Sequence, residues 1–264
     1  MQLAGFAQRD LTNYQVSLLC DAMSAVEMAP ESLTMSGWQM RPGERAALEG
    51  VLATTSPGIA IELGTYRGGS LRRIAAHHHV VHTFDLTQQV EEAEFENVVF
   101  HIGDSHELLP EVLAELHAAG RTVSFALVDG DHSPDGAKRD LVDLLEAPAV
   151  SRAAIVLHDT GNAAVCRGLL EIDFAQYSKI SGVYMDFVPP LAAEGRLSET
   201  WAGLGLITID DSRSGAGATP EVEIRRRRDM DLAELLIEGR RRARRAAGLA
   251  LRRAGMHPAQ RRPR

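Results

Sequence analysis

Residues 59–74, Ile-Ala-Ile-Glu-Leu-Gly-Thr-Tyr-Arg-Gly-Gly-Ser-Leu-Arg-Arg-Ile, limit what this chain can fold into more than any other stretch. A short apolar run leads into a glycine-rich turn and then into helix-forming sequence. This reads as a buried strand, a tight turn and a helix. Glu62, Gly64 and Gly68 stand in an E-x-G-x-x-x-G spacing, with Gly69 doubling the last glycine. Glycines there let backbone N–H groups approach a ligand closely, and the helix start presents the positive end of its dipole to a carboxylate or phosphate. The dinucleotide fingerprint G-x-G-x-x-G does not fit, because Tyr66 stands where its second glycine belongs. A strand–helix turn with no ligand is the plainer reading of the motif taken alone.

The 264 residues suffice for one α/β domain with additions and a core that needs no staple. Cys20 and Cys166 lie far apart and form no CxxC or zinc spacing, as expected of a reduced, cytoplasmic protein. No apolar run approaches the roughly 18 residues that a membrane span needs. Residues 1–10 lack a basic segment followed by an apolar one, so export is not expected. Lysine occurs only at Lys138 and Lys179, an arginine bias that reflects genome composition more than chemistry. The net charge of −8 is unevenly spread: residues 221–264 carry 14 arginines against 6 acidic residues. An acidic body therefore bears a basic tail.

From residue 58 onward, short apolar runs alternate with helical spacing. Strands are expected at 59–63, 80–85, 98–102, 124–128 and 153–157, and helices at 68–77, 105–118, 134–146 and 162–172. Two later runs, 182–188 and 203–209, have no full helix between them and fit an antiparallel edge hairpin. Such alternation argues for a mostly parallel sheet covered on both faces. Upstream, apolar residues at helical spacing over 11–29 end at Pro30. A second helix is expected from Pro42 through Leu52, with Glu44 in its first turn. Met35, Trp38 and Met40 fall between them, either as core or as part of a lid over a substrate. The tract His77-His-His79 reads as a solvated helix end.

Ligands of open α/β sheets bind beyond the carboxyl ends of the strands. Those ends carry Gly64-Thr-Tyr-Arg67, Asp85, Gly103-Asp-Ser105, Asp129-Gly-Asp-His-Ser133 and His158-Asp-Thr160. Asp, Ser and Gly are ordinary turn and capping residues, and Ser105 and Ser133 read first as helix caps. Five polar ends converging on one crevice are harder to explain by turns alone. Asp85 lies where a carboxylate accepts hydrogen bonds from ribose hydroxyls, and Asp104 or Ser105 where an adenine edge is read. An acid on the first strand suits a ligand with an ammonium beside its carboxylate. That points to S-adenosylmethionine rather than a dinucleotide.

In order along the chain, E-x-G-x-x-x-G, Phe84-Asp85, Gly103-Asp104, Val128-Asp-Gly-Asp-His-Ser133 with Gly136 and Lys138-Arg-Asp140, and Leu157-His-Asp-Thr160 resemble the class I S-adenosylmethionine-dependent methyltransferases. The chain is most similar to the branch of cephalosporin-hydroxylase-like and macrolide and rhamnosyl O-methyltransferases, relatives of the catechol-type O-methyltransferases. The resemblance covers roughly residues 45–210. It implies a Rossmann-like, doubly wound, seven-stranded sheet in the order 3-2-1-4-5-7-6, mostly parallel with an antiparallel edge hairpin. To this α/β fold are added N-terminal helices and a basic C-terminal helix or tail. The expected division is a helical cap over 1–50, a cofactor-binding methyltransferase domain over 51–212, and a linker with an Arg-rich amphipathic tail over 213–264.

The resemblance also implies roles. Glu62, Gly64, Thr65, Tyr66, Gly68 and Ser70 would hold the methionine part of the cofactor, Asp85 the ribose, and Gly103, Asp104 and Ser105 the adenine side. Asp129 would border both the cofactor and a divalent cation. Asp129, His158 and Asp159 match the positions that bind the cation in metal-dependent relatives, as Mg²⁺ or, given a histidine donor, Mn²⁺, Fe²⁺ or Zn²⁺. Catechol-type enzymes carry Asp-Asn where this chain has Asp159-Thr160, so the need for a metal stays open. His132 falls where those enzymes place the lysine that deprotonates the acceptor. It either takes that proton or orients Asp129 or Asp159, and Asp131 with His132 as its partner is the alternative base.

The implied reaction is in-line transfer of a methyl group from a sulfonium to a hydroxyl oxygen of a small molecule, a sugar or secondary metabolite. Two other readings stand beside it: a nucleic-acid methyltransferase guided by the basic tail, and a cofactor-binding subunit without catalysis. The N/D-P-P-Y/F block of many base methyltransferases is absent, since Val188-Pro-Pro190 lacks its polar and aromatic members. Leu232, Leu235, Leu236, Ala243, Ala246, Ala247 and Ala250 form a thin apolar stripe among arginines, suited to an anionic membrane, nucleic acid or an acidic protein surface. A second copy of the chain is a further candidate partner. Specificity for the acceptor is expected from the N-terminal helices and region 182–203.

Overall fold

The computed structural model describes residues 38–189, 201–213 and 221–223. The expected helix over 11–29, most of the linker and the basic stripe over 232–250 lie outside the described residues, as do Met35 and residues 190–200. The described elements are α1 (Pro42–Thr54), β1 (Ile59–Leu63), α2 (Gly69–His77), β2 (Val80–Asp85), β3 (Val98–Ile102), α3 (Ser105–Ala118), β4 (Val123–Val128), α4 (Pro134–Glu146), β5 (Arg152–His158), α5 (Ala163–Leu170), β6 (Ile180–Val188), β7 (Leu204–Asp210) and β8 (Glu221–Glu223).

All eight strands join one sheet in the order β3-β2-β1-β4-β5-β7-β6-β8. The first five strands are mutually parallel, whereas β7 runs antiparallel to both β5 and β6. This is the expected mixed seven-stranded Rossmann-like order. The difference lies at one edge, where β8 adds to β6 in parallel with Gly182 opposite Glu221. A three-residue Glu-Val-Glu strand is too short to carry a periodic signal, which is why 221–223 read as tail. β1 sits where the order reverses, with β2 on one side and β4 on the other. The helices that follow β1 and β4 therefore pack on opposite faces, and a crevice opens at the strand ends between them.

Residue alternation decides which helices cover which face. Ile59, Ile61 and Leu63 of β1 join a cluster with Leu109 and Leu113 of α3, Leu141 and Leu144 of α4 and Val165 of α5. Ala60 faces the other way, into a cluster with Leu48 and Leu52 of α1 and Leu71 and Ile74 of α2. Phe84 and Phe125 are fully buried. Burial of such a side chain contributes roughly 1.5–3 kcal/mol. Trp38 and Met40 are buried in the second cluster, so core packing is their role, though both also border the crevice.

Helix starts follow local chemistry. Asp104 caps α3 by accepting from His106 N at 2.9 Å, and Ser133 caps α4 by accepting from Gly136 N at 3.0 Å. Ser105, expected as a cap, is instead the first residue of the helix. The histidine tract also departs from expectation. His78 is buried and its Nδ1 lies 3.1 Å from Ile74 O, while His77 meets the buried Glu49 carboxylate at 3.3 Å. Among the described residues, no helix is long and apolar enough to cross a membrane.

Candidate active site

A cavity of about 1050 Å³ lies at the carboxyl edge of the sheet, above β1 and β4. One wall of it begins at the turn after β1. Gly64 has φ +92°, and a Cβ there would sit 2.1 Å from Asp129 O, so only glycine lets the β1 and β4 loops approach this closely. Thr65, Tyr66 and Ser70 line the same wall. Gly68 is not part of the lining; with φ +70° it serves as the left-handed N-cap of α2.

Glu62 lies behind the wall. It points to the α2 side of β1 and is completely buried; Ser70 Oγ and Thr83 Oγ1 each donate to it at 2.6 Å. Thr83 Oγ1 in turn meets Thr65 Oγ1 at 2.6 Å. Burial pushes the Glu62 carboxyl up to about 8 against the pull of Ser70 and Thr83, and the nearby charges of Asp129 and Asp85 add to the rise. Glu62 thus acts on the cavity through Ser70, which lines it, rather than by direct exposure. Thr83, which completes this network, is a site residue the sequence reading missed. Its only sequence signal is a hydroxyl two residues before the end of β2.

Asp85, Gly103, Asp104 and Ser105 lie along the next stretch of wall. Asp85 Oδ2 accepts from Tyr66 N at 2.7 Å, and Oδ1 from Thr87 N at 3.1 Å. Ser105 Oγ donates to the buried Asp140 carboxylate at 3.2 Å. His106 also borders the cavity, with Nδ1 3.5 Å from Asp140 Oδ1. A polar turn, a carboxylate and a capped helix start in series can hold the amino-acid, ribose and base parts of a nucleoside cofactor.

The opposite end of the cavity holds an acid–imidazole cluster. His158 Nδ1 is 2.8 Å from Asp129 Oδ1 and 3.5 Å from Asp159 Oδ2. His132 Nε2 is 3.1 Å from Asp159 Oδ2 and 3.5 Å from Asp129 Oδ1. Two carboxylates and two imidazoles thus alternate around a closed loop. Hydrogen bonds to Asp129 and Asp159 push His132 up to about 9. Burial opposes a charge on His158, but Asp129, Glu44 and Asp159 hold its proton affinity well above the usual histidine value. Burial also works against charge on Asp129, and the two imidazoles nevertheless keep its carboxyl below the ordinary range.

Asp131 lines the cavity beside this cluster, but its Oδ1 already accepts from Ser133 N at 2.7 Å and its side chain packs on Gly136. Its role in the turn is therefore visible. His132 has the better connection to the acids. Trp201, edge-on to His132 with ring centroids 5.2 Å apart, forms a half-exposed wall over the cluster.

Donor atoms of Asp129, His158 and Asp159 lie within 4.8 Å of one another, a grouping that could hold a cation. The set fits one on a further count: Asp159 Oδ1 is buried and has no hydrogen-bond partner. Asp159 also holds a left-handed backbone, φ 53°, which is unusual away from glycine.

Residues 61–160 match the family model described as a methyltransferase domain. The match runs from β1 through the residues that follow β5 and takes in the whole acid–imidazole cluster. Over these residues the chain is similar to methyltransferase domains. No curated protein matches the chain in sequence. Among solved structures it is similar to an O-methyltransferase from Bacillus cereus in complex with SAH (TM-score 0.46, 12% identity, covering 74% of this chain and 91% of that one). It is also similar to an rRNA methylase from Streptococcus thermophilus (TM-score 0.43, 17% identity, 66% and 99% covered). A third is precorrin 8w decarboxylase from Methanobacterium thermoautotrophicum (TM-score 0.45, 16% identity, 69% and 99% covered). Likeness at this level assigns the chain neither a ligand nor an acceptor.

Proposed function

We propose that the protein transfers a methyl group from S-adenosylmethionine to a hydroxyl oxygen of a small molecule, with a divalent cation at Asp129, His158 and Asp159. The observation that carries this reading is the single cavity that joins the two ends of the site. The turn with Ser70 and the Asp85 carboxylate lies on one side, and the Asp129–His132–His158–Asp159 cluster on the other. The first suits a nucleoside with a charged amino-acid end; the second suits the oxygen that receives the methyl group.

Bond changes are simple. The acceptor oxygen forms a bond to the methyl carbon as the sulfur–carbon bond breaks, and the sulfur keeps the bonding pair as a neutral thioether. The acceptor loses its proton to His132, oriented by Asp159 at 3.1 Å. Asp129 and Asp159 hold the proton affinity of that imidazole high. With their charge offset by a bound cation or the sulfonium, His132 would be able to accept a proton near neutrality. A divalent cation held there would supply Lewis-acid polarisation of the acceptor hydroxyl. The remaining work is alignment, for which Trp201 and Trp38 provide apolar walls.

The test is methyl transfer from labelled S-adenosylmethionine to a panel of catechols, sugars and other hydroxylated small molecules, with RNA in parallel. Transfer to the small hydroxyl compounds is expected. Alanine at His132 should lower kcat by roughly 10²–10⁴ with little change in cofactor affinity. Transfer to RNA alone would overturn the acceptor class, and an unaltered rate in His132→Ala would remove the base.

A further inference from the structure

We propose that Glu44 is the outer carboxylate of the metal site: it fixes the His158 ring so that Nδ1 is the metal donor, and so suits the site to manganese-to-zinc ions over magnesium. The proposal rests on the metal reading above. Glu44 belongs to α1, outside the stretch matched by the family model. An acid in the third position of a helix ordinarily serves only to cap it. Capping explains one of its contacts, since Oε2 accepts from Arg41 N at 2.7 Å. It does not explain the others. Oε1 accepts from Gly203 N at 2.6 Å, and Oε2 lies 3.7 Å from His158 Nε2, an ion-pair distance longer than a hydrogen bond, so that Nε2 is buried facing a carboxylate with no hydrogen-bond partner.

The His158 side chain is 9% exposed and points one ring nitrogen each way: Nδ1 toward Asp129 and Asp159, Nε2 toward Glu44. A neutral imidazole carries its hydrogen on one nitrogen and a lone pair on the other. A carboxylate beside Nε2 favours the hydrogen there and leaves the Nδ1 lone pair directed at the two aspartates. The 2.8 Å contact from Nδ1 to Asp129 is the bond made when Nδ1 is protonated, and a cation would replace that proton. Asp159 Oδ1, buried and without a partner, is a further donor not otherwise used. An imidazole in the donor set favours manganese, cobalt or zinc over magnesium, which prefers oxygen and water. Glu44 also pins Gly203, two residues beyond the Trp201 wall, so one side chain holds both the donor and the loop carrying the wall.

The experiment is calorimetric titration of the full chain with Mn²⁺, Co²⁺, Zn²⁺ and Mg²⁺, together with ¹⁵N-histidine NMR of the zinc-loaded protein. Binding of Co²⁺ and Zn²⁺ should exceed that of Mg²⁺, and His158 should carry its proton on Nε2. Glu44→Gln should weaken Co²⁺ and Zn²⁺ roughly 10–100-fold, leave S-adenosylhomocysteine affinity unchanged, and have no added effect in a His158→Ala background. An equal loss in both backgrounds, no loss at all, or a proton on Nδ1 in the zinc-loaded protein would overturn the role of Glu44 while leaving the metal reading intact. If the unaltered protein takes up none of the four ions, the metal reading falls and the role of Glu44 falls with it. Should Glu44→Gln not fold, the tautomer in the unaltered protein decides alone.

Discussion

Tyr66 donates its backbone N–H to Asp85 Oδ2 at 2.7 Å while holding φ at 44°. The carboxylate suited to the ribose is thus also the group that secures the strained residue of the β1 turn. Two parts of this cavity wall depend on one side chain. Asp85→Ala should lower S-adenosylhomocysteine affinity roughly 10–100-fold in calorimetry, the scale of a lost hydrogen bond to a charged group. Asp85→Asn, which keeps an acceptor for Tyr66 N, should lose less.

Gly64→Ala should cost on the order of 2–4 kcal/mol in urea unfolding, because the added carbon meets Asp129 O and the backbone is left-handed. Gly120→Ala is the control: φ is +65°, but nothing lies within 4 Å of the new carbon. It should cost only about 1–2 kcal/mol, the backbone part alone. Equal losses at the two positions would show that the contact between the β1 and β4 loops is not tight.

Glu62 offers a pH test. Its carboxyl sits near 8 in the folded protein and near the ordinary carboxylate value when unfolded. A raised value means that the unfolded chain releases this proton first. Its contribution is full below about pH 4.5 and is lost as pH rises toward 8, by on the order of 5 kcal/mol. Subtracting the stability of Glu62→Gln from that of the unaltered protein across this range should give a difference that declines with pH. A flat difference would place Glu62 in a more solvated setting.

His82 predicts a slope of the opposite sign. Its Nδ1 lies 3.0 Å from His101 Nε2, and burial, with repulsion from His101 and Arg121, depresses it to about 4. The unfolded chain takes up this proton first, so stability should be full above pH 6.5 and fall between 6.5 and 4, by on the order of 1–2 kcal/mol after screening. His82→Phe should remove that part of the acid sensitivity.

Much of this architecture was readable because each parallel strand is a short apolar run closed by a polar residue. Asp85, Asp104, Asp129 and His158–Asp159 fall at such closures, and the sheet brings them to one edge. What was not readable depends on distance along the chain. Glu44 reads only as an acid in the first turn of a helix, because its partners His158 and Gly203 lie more than a hundred residues away. Thr83 and Trp201 carry no motif. Ser105 looked like a cap, yet the aspartate before it has the same capacity and the better position. His78 looked solvated because three histidines in a row suggest surface, whereas the second turns inward beside Phe125.

The position of β7 has a consequence for biosynthesis. It lies between β5 and β6, although it follows both in the chain. A nascent chain that has emerged only through β6 therefore leaves the β5 flank without its neighbour and β6 without any partner but solvent. The hydrogen bond from Gly203 to Glu44 spans 159 residues and forms only when this late strand inserts. Ribosome-bound chains stalled before residue 204 should accordingly be protease-sensitive at β5 and β6, and the His158 side of the cleft should be the last part of the molecule to set.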